Sequence, residues 1–251
     1  EVLISAGSDL EIRDANGQTV AVNAAEQGQP AMVKALVEAG ADFNIIDING
    51  NSLVLVVVQS YSDNMLEIVA LLGESGADLD LSNYGYTALY YAVEQGDEDL
   101  TRALLEAGAN PDTRTDNDGV PLIASISYPN IMRVLLAAGA DPNQTNKYGE
   151  NSLYRAIDSG SIEDVQALID AGANVNLTEE NGQTPLKRAD SFNKSEMVEL
   201  LTKYGATLSG QAESDEVQAA STASTPLVSS DEADVVEESE ATMQAEPVLA
   251  E

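Results

Sequence analysis

The 251-residue chain contains neither histidine nor cysteine. These two absences remove imidazole bases, thiolate nucleophiles, disulfides and Cys/His zinc sites together, and with them much ordinary enzyme chemistry. Tryptophan is also missing and phenylalanine occurs twice. Any core is therefore built from Leu, Val, Ile and Ala, as thin stacked helices use, with no bulky central pocket. Positive charge is scarce: eleven basic residues face 43 acidic ones, a net charge of −32. Such a field repels phosphate backbones and anionic headgroups, which argues against nucleic acid and membrane surfaces and steers basic protein surfaces inward. The longest apolar run, Leu53 to Val58, is far short of the ~20 residues a bilayer requires, so the chain reads as soluble. Lack of cysteine leaves intracellular, periplasmic and secreted settings open, with an intracellular one expected.

What is present is a repeat. Hydrophobic residues make up 43% of the chain, enough to bury a core. Glycine precedes an Ala-Asp-like pair at Gly40, Gly76, Gly108, Gly139, Gly172 and Gly205, with spacings of 36, 32, 31, 33 and 33. Each closes an apolar stretch of helical periodicity, such as Leu100 with Leu104-Leu105, and supplies the left-handed cap on which a helix stops. A second series, Gly17, Gly50, Gly85, Gly119, Gly149 and Gly182, sits among Asp and Asn and marks turns. Thr19, Ser52, Thr87, Asn151 and Thr184 follow these turns and are predicted N-caps of short helices. Each unit thus reads as turn, short helix, tight turn, longer helix, glycine stop and extended return.

This order resembles the ankyrin repeat. The resemblance is carried by Gly182-Gln183-Thr184-Pro185-Leu186 at the start of the motif. At its end it is carried by Leu104-Leu105-Glu106-Ala107-Gly108-Ala109-Asn110 and by Leu135 to Asn143. It implies an all-α ankyrin-repeat solenoid with β-turn fingers over residues 1–207. A partial repeat at 1–13 is followed by units at about 14–46, 47–81, 82–114, 115–145, 146–178 and 179–207. Because Glu1 already lies inside a second helix, a segment upstream is expected. The family's histidine in Thr-Pro-Leu-His is replaced by Val22, Leu55, Tyr90, Ile123, Tyr154 and Lys187, so the polar link between repeats must be made differently or be lost. The second unit is long around Gln59 to Asn64, and the fourth is short around Ser125 to Asn130. Asp118 takes the fourth unit's turn-glycine position, and distortion is expected at both units.

Residues 208–251 carry eleven acids and no Lys or Arg, the composition of a disordered acidic tail. The repeats then hold all eleven basic residues and a net charge of −21. The sixth unit is charged enough to serve as a polar terminal cap. Its basic cluster, Lys187, Arg188, Lys194 and Lys203, is read as a solvated face, with docking of the tail as the alternative.

The resemblance implies a non-enzymatic protein-binding module or scaffold that uses finger tips and the exposed side of the first helices. The residues there are Asn83, Tyr84, Tyr86, Tyr91, Glu94, Gln95, Asp116, Asn117, Lys147, Tyr148, Glu150, Arg155 and Asp158. Tyr84, Tyr86 and Tyr148 are expected to contact a partner, while Tyr90 and Tyr154 are expected to pack between repeats. The partner is expected to be a protein of basic or mixed charge, bound by a monomer. No catalytic residue, cofactor or metal is expected. Asp116-Asn117-Asp118-Gly119 resembles part of a calcium loop, but the first ligand position falls on Arg114 and the last on Ser125. Two other readings remain: a carboxylate-based enzyme or metal-dependent protein, and an acidic surface suited to a salty habitat. Within the binding class, scaffold, inhibitor, immunity factor and secreted effector are not separated.

Overall fold

The computed structural model describes residues 7–47, 50–82, 86–179 and 181–209. These belong to the first of two units, Glu1–Glu213. The expected tail beyond Ser209 and the helix at Glu1 lie outside the described residues. Among the described residues, twelve α-helices and one 3-10 turn form six pairs. They are α1 (Val20–Glu26) with α2 (Pro30–Glu38), α3 (Leu53–Gln59) with α4 (Met65–Glu74), and α5 (Ala88–Gln95) with α6 (Glu98–Glu106). Then follow α7 (Pro121–Ala124) with α8 (Pro129–Ala137), α9 (Ser152–Ser159) with α10 (Ile162–Asp170), and α11 (Pro185–Ser191) with α12 (Ser195–Lys203). First helices pack on first helices and second on second, in chain order. One apolar seam of buried Leu, Val, Ile and Ala runs from Ala21 to Ala206. A single pair cannot cover that seam, so stacking is what makes these short helices stable.

All five predicted N-caps act as such. The side chains of Thr19, Ser52, Thr87, Asn151 and Thr184 accept from the backbone N–H three residues on. The six stop glycines lie at positive φ, between 75° and 107°, where an L side chain would be strained. The two irregular units distort as expected. From N-cap to second helix the third pair runs Thr87 to Glu98. The second pair runs Ser52 to Met65, two residues longer, and turns through Tyr61 at φ 50°. The fourth runs Val120 to Pro129, two residues shorter. Its first helix has four residues and passes into the 3-10 turn Ser125–Ser127. Asp118 adopts the glycine conformation there, with φ 64°.

Polar links of several kinds join neighbouring repeats. Tyr154 is wholly buried, and its hydroxyl reaches the carbonyl oxygens of Gln183 (2.6 Å) and Leu177 (2.7 Å) in the next unit. Ser52 Oγ donates to the Leu81 carbonyl at 3.3 Å. Along the returns runs a ladder: the side-chain oxygens of Asn44, Asp80, Asp112, Asn143 and Asn176 accept from the backbone N–H of Asp78, Asn110, Asp141, Asn174 and Thr207. Asn143 and Asn176 also donate, through Nδ2, to the carbonyls of Gly172 and Gly205 (3.1 and 2.8 Å). A carboxylate in that register cannot donate.

Asp80 stands at this disadvantage. Burial raises its carboxyl above the usual value, against the lowering effect of the Asn110 N–H, and neighbouring Asp78 adds to the rise. A raised pKa means that the folded state binds the proton more tightly than the unfolded one. The stability this provides is full below the unfolded pKa and is lost as pH rises through the folded value. Asp80→Asn is therefore expected to stabilise the protein by about 1 kcal/mol at neutral pH. The gain should shrink as pH falls into the carboxylate range. Denaturant melts at both pH values check this, and an equal gain at acid pH would contradict it.

Candidate functional site

Fingers and first helices are held together by local chemistry. In the fourth finger the N–H of Thr115 bonds back to the Gly119 carbonyl, in the fifth that of Asn146 to the Glu150 carbonyl. Each finger thus closes on itself and delivers the chain to its N-cap. Beside these fingers a recess of about 550 Å3 opens over the third to fifth units. Tyr148 and Glu150 reach it from a finger, Arg155 and Asp158 from α9, and Tyr90 from α5. Its floor includes Ile123, Ala124, Ile126 and Ser127. The recess lies where the fourth unit's first helix is cut to four residues, and the small side chains of Ala124 and Ser127 line it.

The structure thus brings four of the expected contact residues together, and several others lie outside the recess lining. Tyr148 is 64% exposed, with the Lys147 ammonium 5.3 Å from its ring centre. Glu150 accepts from Asn146 Nδ2 at 3.1 Å, and Arg155 is exposed. Tyr86 is 37% exposed, its ring centre 5.8 Å from that of Tyr90. Tyr91 hydrogen-bonds the Tyr61 hydroxyl, which with burial pushes its phenol up to about 12. Glu94, Gln95, Asp116, Asn117 and Lys147 are exposed. Asp116 Oδ1 accepts from Ser82 Oγ at 2.8 Å, tying two fingers together. Asn83 and Tyr84 lie outside the described residues.

Asp158 is less available than its place in the sequence suggests. Arg188 of the sixth unit grips it through two bonds of 2.6 Å and reaches Glu179 at 2.7 Å. The guanidinium carbon sits 5.4 Å from the Tyr154 ring centre. Lys194 Nζ donates to the backbone carbonyls of Ile157 and Asp158, the latter at 2.8 Å. Two members of the supposed basic cluster therefore fasten the cap to the fifth unit, because a fork of donors meets two carboxylates and a free helix end there. Lys187 and Lys203 alone of the four are exposed. Tyr154 packs between repeats as expected. Tyr90, assigned the same role, is half-buried and also lines the recess. Burial, then the Glu94 carboxylate beside it, raises its phenol to about 12.

Among the described residues no three acidic side chains converge as a metal-ligand set, and no helix is long and apolar enough to cross a membrane. The model for ankyrin repeats (3 copies) matches residues 1–83, 24–115 and 116–212. The chain is 30% identical over 151 residues to the chicken (Gallus gallus) nuclear factor NF-kappa-B p105 subunit, covering 58% of this chain and 15% of that protein. It is 32% identical over 83 residues to the interferon antagonist OPG040 of vaccinia virus (strain Western Reserve), covering 33% and 29%. With the Arabidopsis thaliana E3 ubiquitin-protein ligase KEG it shares 34% over 100 residues, 38% of this chain and 6% of that one. The chain thus spans under a third of each of these relatives. Among solved structures, the ankyrin repeat domain of Bcl-3 superposes with TM-score 0.64 at 25% identity, over 76% of this chain and 88% of that one. An ankyrin repeat domain from Acinetobacter baumannii AYE gives 0.62 at 27%, over 74% and 98%. Repeat period, caps, helix pairing and family match agree: the chain belongs to the ankyrin-repeat family, whose repeats are generally protein–protein interaction modules.

Proposed function

We propose that this chain is a non-enzymatic, monomeric binding module that grips another protein of basic or mixed surface charge through its fingers and first helices. The observation that carries this reading is the shared recess, in which finger residues Tyr148 and Glu150 and helix residues Tyr90 and Arg155 line one concavity. A rigid scaffold lined with exposed tyrosines offers large contact area at little entropic cost. The net charge of −32 steers cationic surfaces toward it.

Affinity capture on the immobilised full chain, read by mass spectrometry and repeated with the Tyr86→Ala/Tyr148→Ala variant, tests the surface. Loss of the captured partner by roughly tenfold or more is expected, together with weaker capture as salt increases. A partner held equally by both proteins would place the binding surface elsewhere.

A further inference from the structure

We propose that the recess over the third to fifth units receives, at its Tyr90 end, an arginine side chain of the partner protein. The proposal rests on the binding reading above and deepens it. Its basis is a comparison of two junctions within this chain. Counting from each N-cap, Tyr154 and Asp158 of the fifth unit hold the same places as Tyr90 and Glu94 of the third. At the fifth junction the next unit supplies Arg188, four residues beyond its N-cap Thr184, and its guanidinium lies over Tyr154 between Asp158 and Glu179. At the third junction the residue four beyond Val120 is Ala124. Tyrosine and carboxylate are both present, yet the side chain that would join them is a methyl group.

Tyr90 and Ala124 line the open recess, and Glu94 is exposed beside Tyr90. At the finger position of Glu179 the third junction has Thr115, so the second carboxylate comes from Glu150 of the following finger. Ile123 and Ile126 provide apolar floor for an aliphatic stem. Arginine fits this set because its planar head stacks on an aromatic ring while its fork of donors meets carboxylates. Arg155 holds the register of Arg188 in the fifth unit, but the places below it belong to Ile123 and Ser127.

The test titrates the isotope-labelled full chain with a short Gly/Ser peptide bearing a central arginine, and with citrulline and leucine counterparts. The arginine peptide is expected to shift amide signals of residues 119–120, 122–127 and 148–150. Citrulline, of like shape without charge, should bind at least about tenfold more weakly. Glu94→Gln should weaken the arginine peptide by a similar factor, and its exposed site leaves the fold intact. Ala124→Arg should supply the missing group internally, raising the melting temperature and abolishing peptide binding. Citrulline or leucine peptides binding as well as arginine would overturn the proposal. So would unchanged arginine binding in a folded Ala124→Arg protein. A captured protein partner lost with Tyr86→Ala but retained with Ala124→Arg would overturn the arginine assignment and leave the binding module standing.

Discussion

Replacing Arg188 with methionine is expected to cost about 3 kcal/mol, by releasing the sixth helix pair from the fifth. The side chain is 15% exposed and Glu179 beneath it 6%. The guanidinium satisfies Asp158 and Glu179 at once and covers the Tyr154 ring. Methionine fills much of the volume but leaves two carboxylates half-buried or buried without their counter-charge, which is the expensive way to break an ion pair. In a stack where each unit touches only its neighbours, that loss falls on one interface. Amide exchange should accordingly rise across α11 and α12 and change little in α1 to α6. Adding Glu179→Gln to Arg188→Met should recover part of the stability, because it removes the more deeply buried of the two orphaned charges. A uniform rise in exchange along all six pairs would show that the ion pair does not act at this junction.

The same junction shows where the sequence was readable and where it was not. Caps and stops are local signals: Thr19 or Gly40 carries its meaning within a turn of chain, so the helix boundaries followed from composition and spacing. The misfit lengths of the second and fourth units were equally visible, as was Asp118 in a glycine position, confirmed by its φ of 64°. Arg188 and Lys194 looked like free surface charge because their partners lie 30 and 36 residues away in the chain. Only stacking brings them together. The Asp/Asn ladder recurs in the sequence four residues after each of the first five stop glycines, yet the N–H donors it accepts from lie in the neighbouring repeat, about one period away. Tyr90 shows the limit most clearly. It shares its register with Tyr154, but one is sealed by an arginine from the next unit and the other faces an alanine. A side chain's role was fixed one repeat further along the chain.

Leu135→Ala is expected to cost about 3 kcal/mol and to split unfolding into two steps. Leu135 is fully buried in α8, with Ile131 and Met132. In most pairs the first helix shares the burden: α9 buries Leu153, Tyr154, Ala156 and Ile157, and α5 buries Leu89, Ala92 and Val93. In the fourth pair α7 buries only Pro121 and Leu122, and the following turn buries Ser125, a polar residue bonded to the Leu122 carbonyl. The apolar connection between the third and fifth units therefore depends on α8 more than on α7. A cavity at Leu135 removes contacts that no other helix of that pair can replace, and coupling across it falls with them. Leu104→Ala in α6 should cost a similar amount, yet leave a single transition, since α5 still carries the seam past it. Calorimetry on the two variants distinguishes the cases, because a split transition makes the calorimetric and van't Hoff enthalpies disagree. Two transitions with Leu104→Ala and one with Leu135→Ala would place the weakest joint of the stack outside the shortened unit.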